Sequence, residues 1–258
     1  MELTIRIGDG TMAFAARQPL GMVSYEEYDA NPGISAAANL RQAATDSKLM
    51  KHKGGKALVL VDTIPLIIPK EEFSKETVDK CYRQISTVGN GYYIATSEAD
   101  QLGVVVAFAV NNDLRTVVGD NFKQFMFMPL IQPTLSYLQR VAFNGKRRKM
   151  YAYAHDGRLD IIAIQQGRLR FYNRYDIKGC NDAIYFVLNV WKQIGCNQTE
   201  DEIQLICEDD QCQQLADGLR RYVANVSKME LSPDLKGLKV DGEEKLPFDL
   251  MTLYSTLV

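Results

Sequence analysis

The side chains best placed for chemistry are two histidines, five cysteines and a set of segregated charges. Histidine is the natural general base near neutral pH. His52 stands in Lys51-His-Lys-Gly-Gly55, read as a solvated loop between a helix and a strand, and His155 stands beside an Asp-Gly turn. Neither has a nucleophile close in sequence, so no catalytic residue is assigned. The cysteines are Cys81, Cys180, Cys196, Cys207 and Cys212. Their number is odd and no two form a C-x-x-C pair, so free thiols in a reducing cytosol are expected. Zinc needs closely spaced ligand pairs, and only Cys207 and Cys212 are near one another, so no metal site is assigned. From Arg140 to Lys178 there are ten Lys or Arg against three acids, and from Asn197 to Asp217 seven acids and no base. Arg168, Arg170 and Arg174 are read as a solvated strand face and a candidate partner surface. No aromatic-basic motif accompanies them, so nucleic acid is not expected as the partner.

The bulk numbers fit that restraint. The chain has 258 residues, 46% hydrophobic and 24% charged, with a net charge of −2. It is long enough to bury a core without disulfides or metal. The small net charge implies no bulk attraction to nucleic acid or anionic membrane. The first residues alternate and show no basic-then-apolar leader, and the longest apolar run, Val104–Val110, has strand length. No membrane span is expected, and a cytoplasmic location is.

The elements that must position these residues occur twice. Leu3–Ala15 and Met150–Ile164 each read as an alternating strand, an Asp-Gly turn and a second strand. Asp-Gly between alternating runs is a strong hairpin signal, because both residues tolerate positive φ. Gly21–Asp29 and Gly167–Asp176 then read as third antiparallel strands. A glycine follows, Gly33 or Gly179, and then a helix, Ile34–Met50 or Asn181–Ile194. A buried-type strand comes next: Ala57–Val61 lies 146 residues before Ile203–Cys207. An amphipathic helix ends each series, on Val78, Cys81, Tyr82 and Ile85 with Ser74 as N-cap, and on Cys212, Leu215, Leu219, Tyr222, Val223 and Val226. The first half carries extra material over about 62–145, with strands Tyr92–Thr96 and Gly103–Val110, a polar turn Asn111-Asn112-Asp113, and an apolar run Phe125–Ile131. The predicted domains are a first lobe, 1–145, and a second lobe, 146–258, joined through Asn144–Lys149. The apolar stretch Leu246–Tyr254 is expected to pack back on the core.

This order, twice over, resembles the actin-like ATPase superfamily, and the chain is similar to a bacterial family of uncharacterised actin-like ATPase-fold proteins. In the second half, Leu159-Asp-Ile-Ile-Ala-Ile-Gln-Gln-Gly-Arg-Leu-Arg-Phe-Tyr-Asn-Arg174 is similar to the pilus-assembly relatives, and the cell-division relatives are more distant. The resemblance implies an α/β duplicated ribonuclease-H-like fold, in two lobes each with a mixed sheet flanked by helices.

The resemblance also implies ATP–magnesium held between the lobes on two hairpin loops. Asp9, Gly10 and Thr11 are similar to the family's Asp-x-Gly-Thr, though that loop is one residue short. Asp156, Gly157 and Arg158 stand at the second loop, which lacks Ser or Thr. Where the family has Gly-Gly to admit adenosine, this chain has Glu208-Asp209-Asp210. These acids oppose a triphosphate by like charge, and Asp209 or Asp210 suits the cap of the next helix. The related nuclease chemistry would need a third acid beside Asp9 and Asp62, and none is clearly placed. The expected function is therefore a non-catalytic, cytosolic protein-binding or assembly factor with a degraded nucleotide site and no cofactor. The alternative is an ATP-binding protein or weak ATPase using the interlobe cleft.

Overall fold

The computed structural model describes residues 2–19, 21–51, 55–142, 147–241 and 245–256. His52 and the Asn144–Lys146 part of the expected junction lie outside them. In chain order the elements begin β1 (Glu2–Ile7), β2 (Met12–Arg17), β3 (Val23–Tyr28), α1 (Ala36–Asp46), α2 (Lys48–Lys51), β4 (Lys56–Val61) and β5 (Leu66–Pro69). They continue with α3 (Val78–Ile85), β6 (Tyr92–Ala99), β7 (Val104–Asn111), α4 (Asn112–Asn121), β8 (Gln124–Pro129) and α5 (Gln132–Ala142). The second half runs β9 (Lys149–His155), β10 (Arg158–Gln165), β11 (Arg168–Asp176), α6 (Cys180–Gln193), β12 (Glu202–Ile206), α7 (Asp209–Leu219) and β13 (Asn225–Lys228). The chain closes with α8 (Pro233–Lys236), β14 (Val240–Asp241) and α9 (Phe248–Thr256).

The duplication is visible in the sheets. One has the order β14-β3-β2-β1-β4-β8 and the other β11-β10-β9-β12-β13. In each, the first three strands are antiparallel neighbours, and the fourth joins the first in parallel. A parallel partner cannot be reached by a hairpin, so a helix, α1 or α6, makes the crossover. Alternation decides the faces. Leu3, Ile5 and Ile7 of β1 pack with Ala37, Leu40 and Ala43 of α1. Met150, Ala152 and Ala154 of β9 pack with Ala183, Val187 and Val190 of α6.

The extra material corrects one expected equivalence. The counterpart of α7 is α4, not α3. Asn111-Asn112-Asp113 is no turn: Asn111 Oδ1 accepts from the Asp113 and Leu114 amides at 2.8 and 3.1 Å and caps α4. Leu114, Val117 and Val118 then pack into the first core at helical spacing. Between β4 and α4 stands an antiparallel sheet of order β5-β7-β6. Helix α3 lies on it, Val78 and Tyr82 against Ala107 and Ala109. The N-cap of α3 is Thr77, not Ser74, and its side chain makes no capping bond.

The chain divides into two compact units, Met1–Thr134 with Asp234–Val258, and Leu135–Pro233. This differs from a division at residue 145 at both ends. The last segment belongs to the first unit because Leu246, Leu250, Leu253 and Tyr254 bury against Ala13, Ala15, Val23, Leu58 and Leu60, on the sheet face opposite α1. Among the described residues no helix is long and apolar enough to cross a membrane.

Candidate functional site

The two Asp-Gly loops are built differently. Ile7 pairs with Met12, so the first loop has four residues, Gly8–Thr11. The Gly8 amide donates to the Thr11 carbonyl at 2.9 Å. Gly10 has φ +70°, which L side chains rarely adopt. Asp9, Gly10 and Thr11 are exposed. Beneath them lies Arg6, whose alternation puts it on the face opposite the α1 core. Its Nη1 donates to Thr11 Oγ1 at 3.1 Å, and its Nε and Nη2 each donate to Asp249 of α9 at 2.9 Å. The side chains are 5% and 0% exposed. The hydroxyl of the first loop is thus tied to a buried ion pair whose acid comes from the last helix. Asp62 follows β4 beside this loop, its amide donating to the Ile7 carbonyl at 2.8 Å.

In the second unit His155 pairs with Arg158, leaving only Asp156-Gly157 as the loop. Their φ angles are 45° and 70°, the pattern of a tight hairpin turn that matches strand twist. Both nitrogens of His155 face carboxylates: Nδ1 is 3.2 Å from Asp156 Oδ2 and Nε2 is 2.7 Å from Asp160 Oδ2. The Tyr153 ring stacks on the imidazole, centroids 4.3 Å apart. The other oxygen of Asp160 accepts from the Tyr172 hydroxyl at 2.7 Å and lies 3.8 Å from Arg174 Nε. Register explains the gathering. Asp160 stands opposite Tyr153 on one side and Arg174 on the other, so all three share a face. A histidine engaged at both nitrogens is a strut for Asp156 rather than a base open to substrate. Arg158 Nη1 reaches Asp176 at 3.5 Å.

The third position follows β12. Glu208 is the N-cap residue of α7, with no capping bond from its side chain, and Asp209 and Asp210 occupy the first turn. They suit the positive end of the helix without capping it. Asp209 also pairs with Lys228. Cys207 and Cys212 form a disulfide, with Cα atoms 5.5 Å apart, and it closes around these acids. The expectation of five free thiols is therefore corrected. β12 ends and α7 begins within five residues, which brings the two sulfurs into bonding range.

The candidate partner surface divides. Arg168 and Arg170 are exposed, whereas the Arg174 side chain is 8% exposed and turned to Asp160. Sequence reading did not single out Arg6, Asp249, Asp160 or Tyr172. Alternation placed Arg6 off the core face, but nothing local pointed to a partner 243 positions away. It also missed a cavity of about 370 Å³ in the second unit, lined by Lys149, Tyr151, Glu202, Gln204 and Ser227 among others. Burial, then the Glu202 charge, pushes the Tyr151 hydroxyl pKa up. The polar groups of this cavity meet one another: Lys149 lies 3.9 Å from Glu202, and Gln204 donates to Ser227 at 3.1 Å. Among the described residues no three His, Cys, Asp or Glu side chains gather to hold a metal ion.

A family model described as "Protein of unknown function (DUF3822)" matches residues 1–226. The chain belongs to this family. The match ends inside β13, so α8, β14 and α9, with Asp249, lie beyond it. No curated protein matches. A protein of Bacteroides thetaiotaomicron VPI-5482 with an actin-like ATPase fold and unknown function is similar over 98% of this chain and 95% of that one, with 20% identity and a TM-score of 0.83. A chain of the PilM–PilN type IV pilus biogenesis complex is similar over 93% and 90%, with 12% identity and a TM-score of 0.60. At these identities the likeness is one of fold: this DUF3822 protein has the actin-like ATPase fold, a duplicated α/β architecture.

Proposed function

We propose that this DUF3822 protein is a non-catalytic protein-binding or assembly factor of the cytosol whose nucleotide site is degraded. One observation carries the reading. Glu208, Asp209 and Asp210 occupy the turn where the resemblance requires Gly-Gly, and the Cys207–Cys212 bridge closes that turn. On this reading three carboxylates oppose a triphosphate by like charge, and side chains stand where close approach to backbone is wanted. On this reading the residues present do not fit ATP. The engagement of Asp156 by His155 and of Arg158 by Asp176 supports the same reading. A protein partner is supported by the PilM–PilN relative, which is itself a complex.

The four-residue first loop favours a second reading. With Asp9, Gly10 and Thr11 exposed, it would join Asp156, Gly157 and Arg158 in receiving ATP–magnesium, as a binder or weak ATPase. Titration calorimetry and thermal shift with ATP and magnesium separate the two. A ligand at a hundred times its dissociation constant adds about 2.7 kcal/mol of stability. The expected result is neither heat nor shift. Micromolar binding would overturn the proposal.

A further inference from the structure

The duplication sets one pair of positions side by side in each unit. Thr4 of β1 stands opposite Leu58 of β4, and Tyr151 of β9 stands opposite Gln204 of β12. In the first unit this face is closed. Leu58 packs in the cluster of Leu250 and Leu253, and the Tyr254 hydroxyl of α9 donates to Thr4 Oγ1 at 2.9 Å. In the second unit the same face is polar, and the cavity of about 370 Å³ lies over it. Cavities that hold small ligands start at about 300 Å³.

The floor of this cavity follows from register. Tyr151, Gln204 and Ser227 are neighbours across β9, β12 and β13, and Lys149 and Glu202 are neighbours two residues earlier. Alternation turns these five together, because Met150, Ile203 and Val226 between them pack against α6 and α7. Tyr151 is 2% exposed and lines the cavity, yet its hydroxyl has no hydrogen-bond partner among the described residues. Buried hydroxyls are normally satisfied. Burial, then the Glu202 charge, pushes its pKa up, so the phenol keeps its proton as a donor. Beside it the Lys149 ammonium lies 3.9 Å from Glu202, beyond hydrogen-bond reach. Gln204 Nε2 donates to both Glu202 and Ser227, which leaves its carbonyl oxygen as an acceptor. On the far side the Met229 amide donates to the Leu205 carbonyl at 2.8 Å and carries the chain past β13 to Glu230, an exposed acid on the cavity wall.

We propose that this cavity binds a short peptide of about three residues as a zwitterion, its carboxylate received by Tyr151 and Lys149 and its ammonium by Glu230. The two donors lie on β9 and the acid beyond β13. Those strands are two spacings apart, about 10 Å, and three extended residues reach about that far. Gln204 and Ser227 lie between the two ends, where peptide groups need a partner. Val141 and Met229 offer apolar contact along the walls. The inference goes beyond the protein-binding reading and does not rest on the turn at Glu208.

The test is titration calorimetry on the full chain with trialanine. N-acetyl-trialanine and trialanine amide each remove one terminal charge, and free alanine supplies both charges without the span. Trialanine should bind in the millimolar range or tighter, and all three comparison ligands about tenfold more weakly or worse. Tyr151→Phe and Glu230→Gln should each weaken trialanine by about tenfold with unchanged melting curves, since neither change removes a hydrogen bond within the protein. In Tyr151→Phe the gap between trialanine and its amide should narrow, and in Glu230→Gln the gap to the acetylated peptide should narrow. No heat at millimolar trialanine overturns the proposal. So does equal binding of either capped peptide or of free alanine, or unaltered affinity in both variants.

Discussion

At the scale of residues, each unit carries a buried charge cluster on the sheet face below its hairpin loop. A buried ion pair adds little over apolar packing, but removing one partner strands the other charge. Asp249→Asn should therefore cost about 3–5 kcal/mol in a urea titration, because Arg6 loses a fully buried counter-charge. Arg6→Met/Asp249→Leu should recover most of that loss. In the second unit, Tyr172→Phe removes one donor from the fully buried Asp160 and should cost about 1.5–3 kcal/mol by the same measurement. These clusters were poorly legible in the sequence. His155 stood out as a titratable side chain, yet its role depends on Asp160, and that pairing follows only from strand register. The Asp-Gly turns were legible, but not the difference between them. Asp156 adopts positive φ and makes a two-residue turn, while Arg6 below Thr11 accompanies a four-residue loop.

At the scale of elements, α9 covers a sheet face that α1 cannot reach. Leu250 is fully buried there against Leu58 and Leu60. Leu250→Ala should cost about 2–5 kcal/mol through lost transfer energy and the cavity left behind, read as a shift of the denaturation midpoint at unchanged slope. The composition of Leu246–Tyr254 marks it as an apolar segment. Its address on the first sheet was decided by Asp249 and Tyr254, whose side chains meet Arg6 and Thr4. The equivalence of α3 and α7 failed for a related reason. Apolar residues at helical spacing occur in both α3 and α4, and which one lies on the main sheet depends on where the inserted strands leave and rejoin it. Asn111 looked like a turn because Asn favours turns and caps alike.

At the scale of the whole molecule, thiols and phenols whose pKa is raised by burial, Cys196 and Tyr254 among them, shape the response to base. Burial first, then the Asp201 charge, pushes the Cys196 thiol up to about 11. Burial pushes the Tyr254 hydroxyl up to about 12. Both hold their protons in the folded state where an unfolded chain gives them up near pH 9 to 10. Their contribution to stability is complete below about pH 9 and is lost as pH rises towards 12. Urea midpoints should be level from pH 7 to 9 and fall above it. Thiol chemistry gives a second check. Unfolded without reductant, protein carrying the Cys207–Cys212 bond should titrate three thiols, Cys81, Cys180 and Cys196. A count of five would show that bond absent. In the folded protein, exposed Cys81 should react first and Cys196 last.

The sequence by itself determined the duplication, because alternation, Asp-Gly turns and helical spacing are local patterns that survive when side chains change. It also determined that three acids, Glu208-Asp209-Asp210, follow the buried strand of the second half, since their order is a fact of the sequence. Only the tertiary structure decided which loop hydroxyls and carboxylates are already engaged. It also decided that Cys207 faces Cys212, that α9 belongs to the first unit, and that one third strand gains a neighbour while the other, among the described residues, stands at an edge. Those outcomes depend on strand register and on contacts between residues far apart in the chain, which no local period encodes.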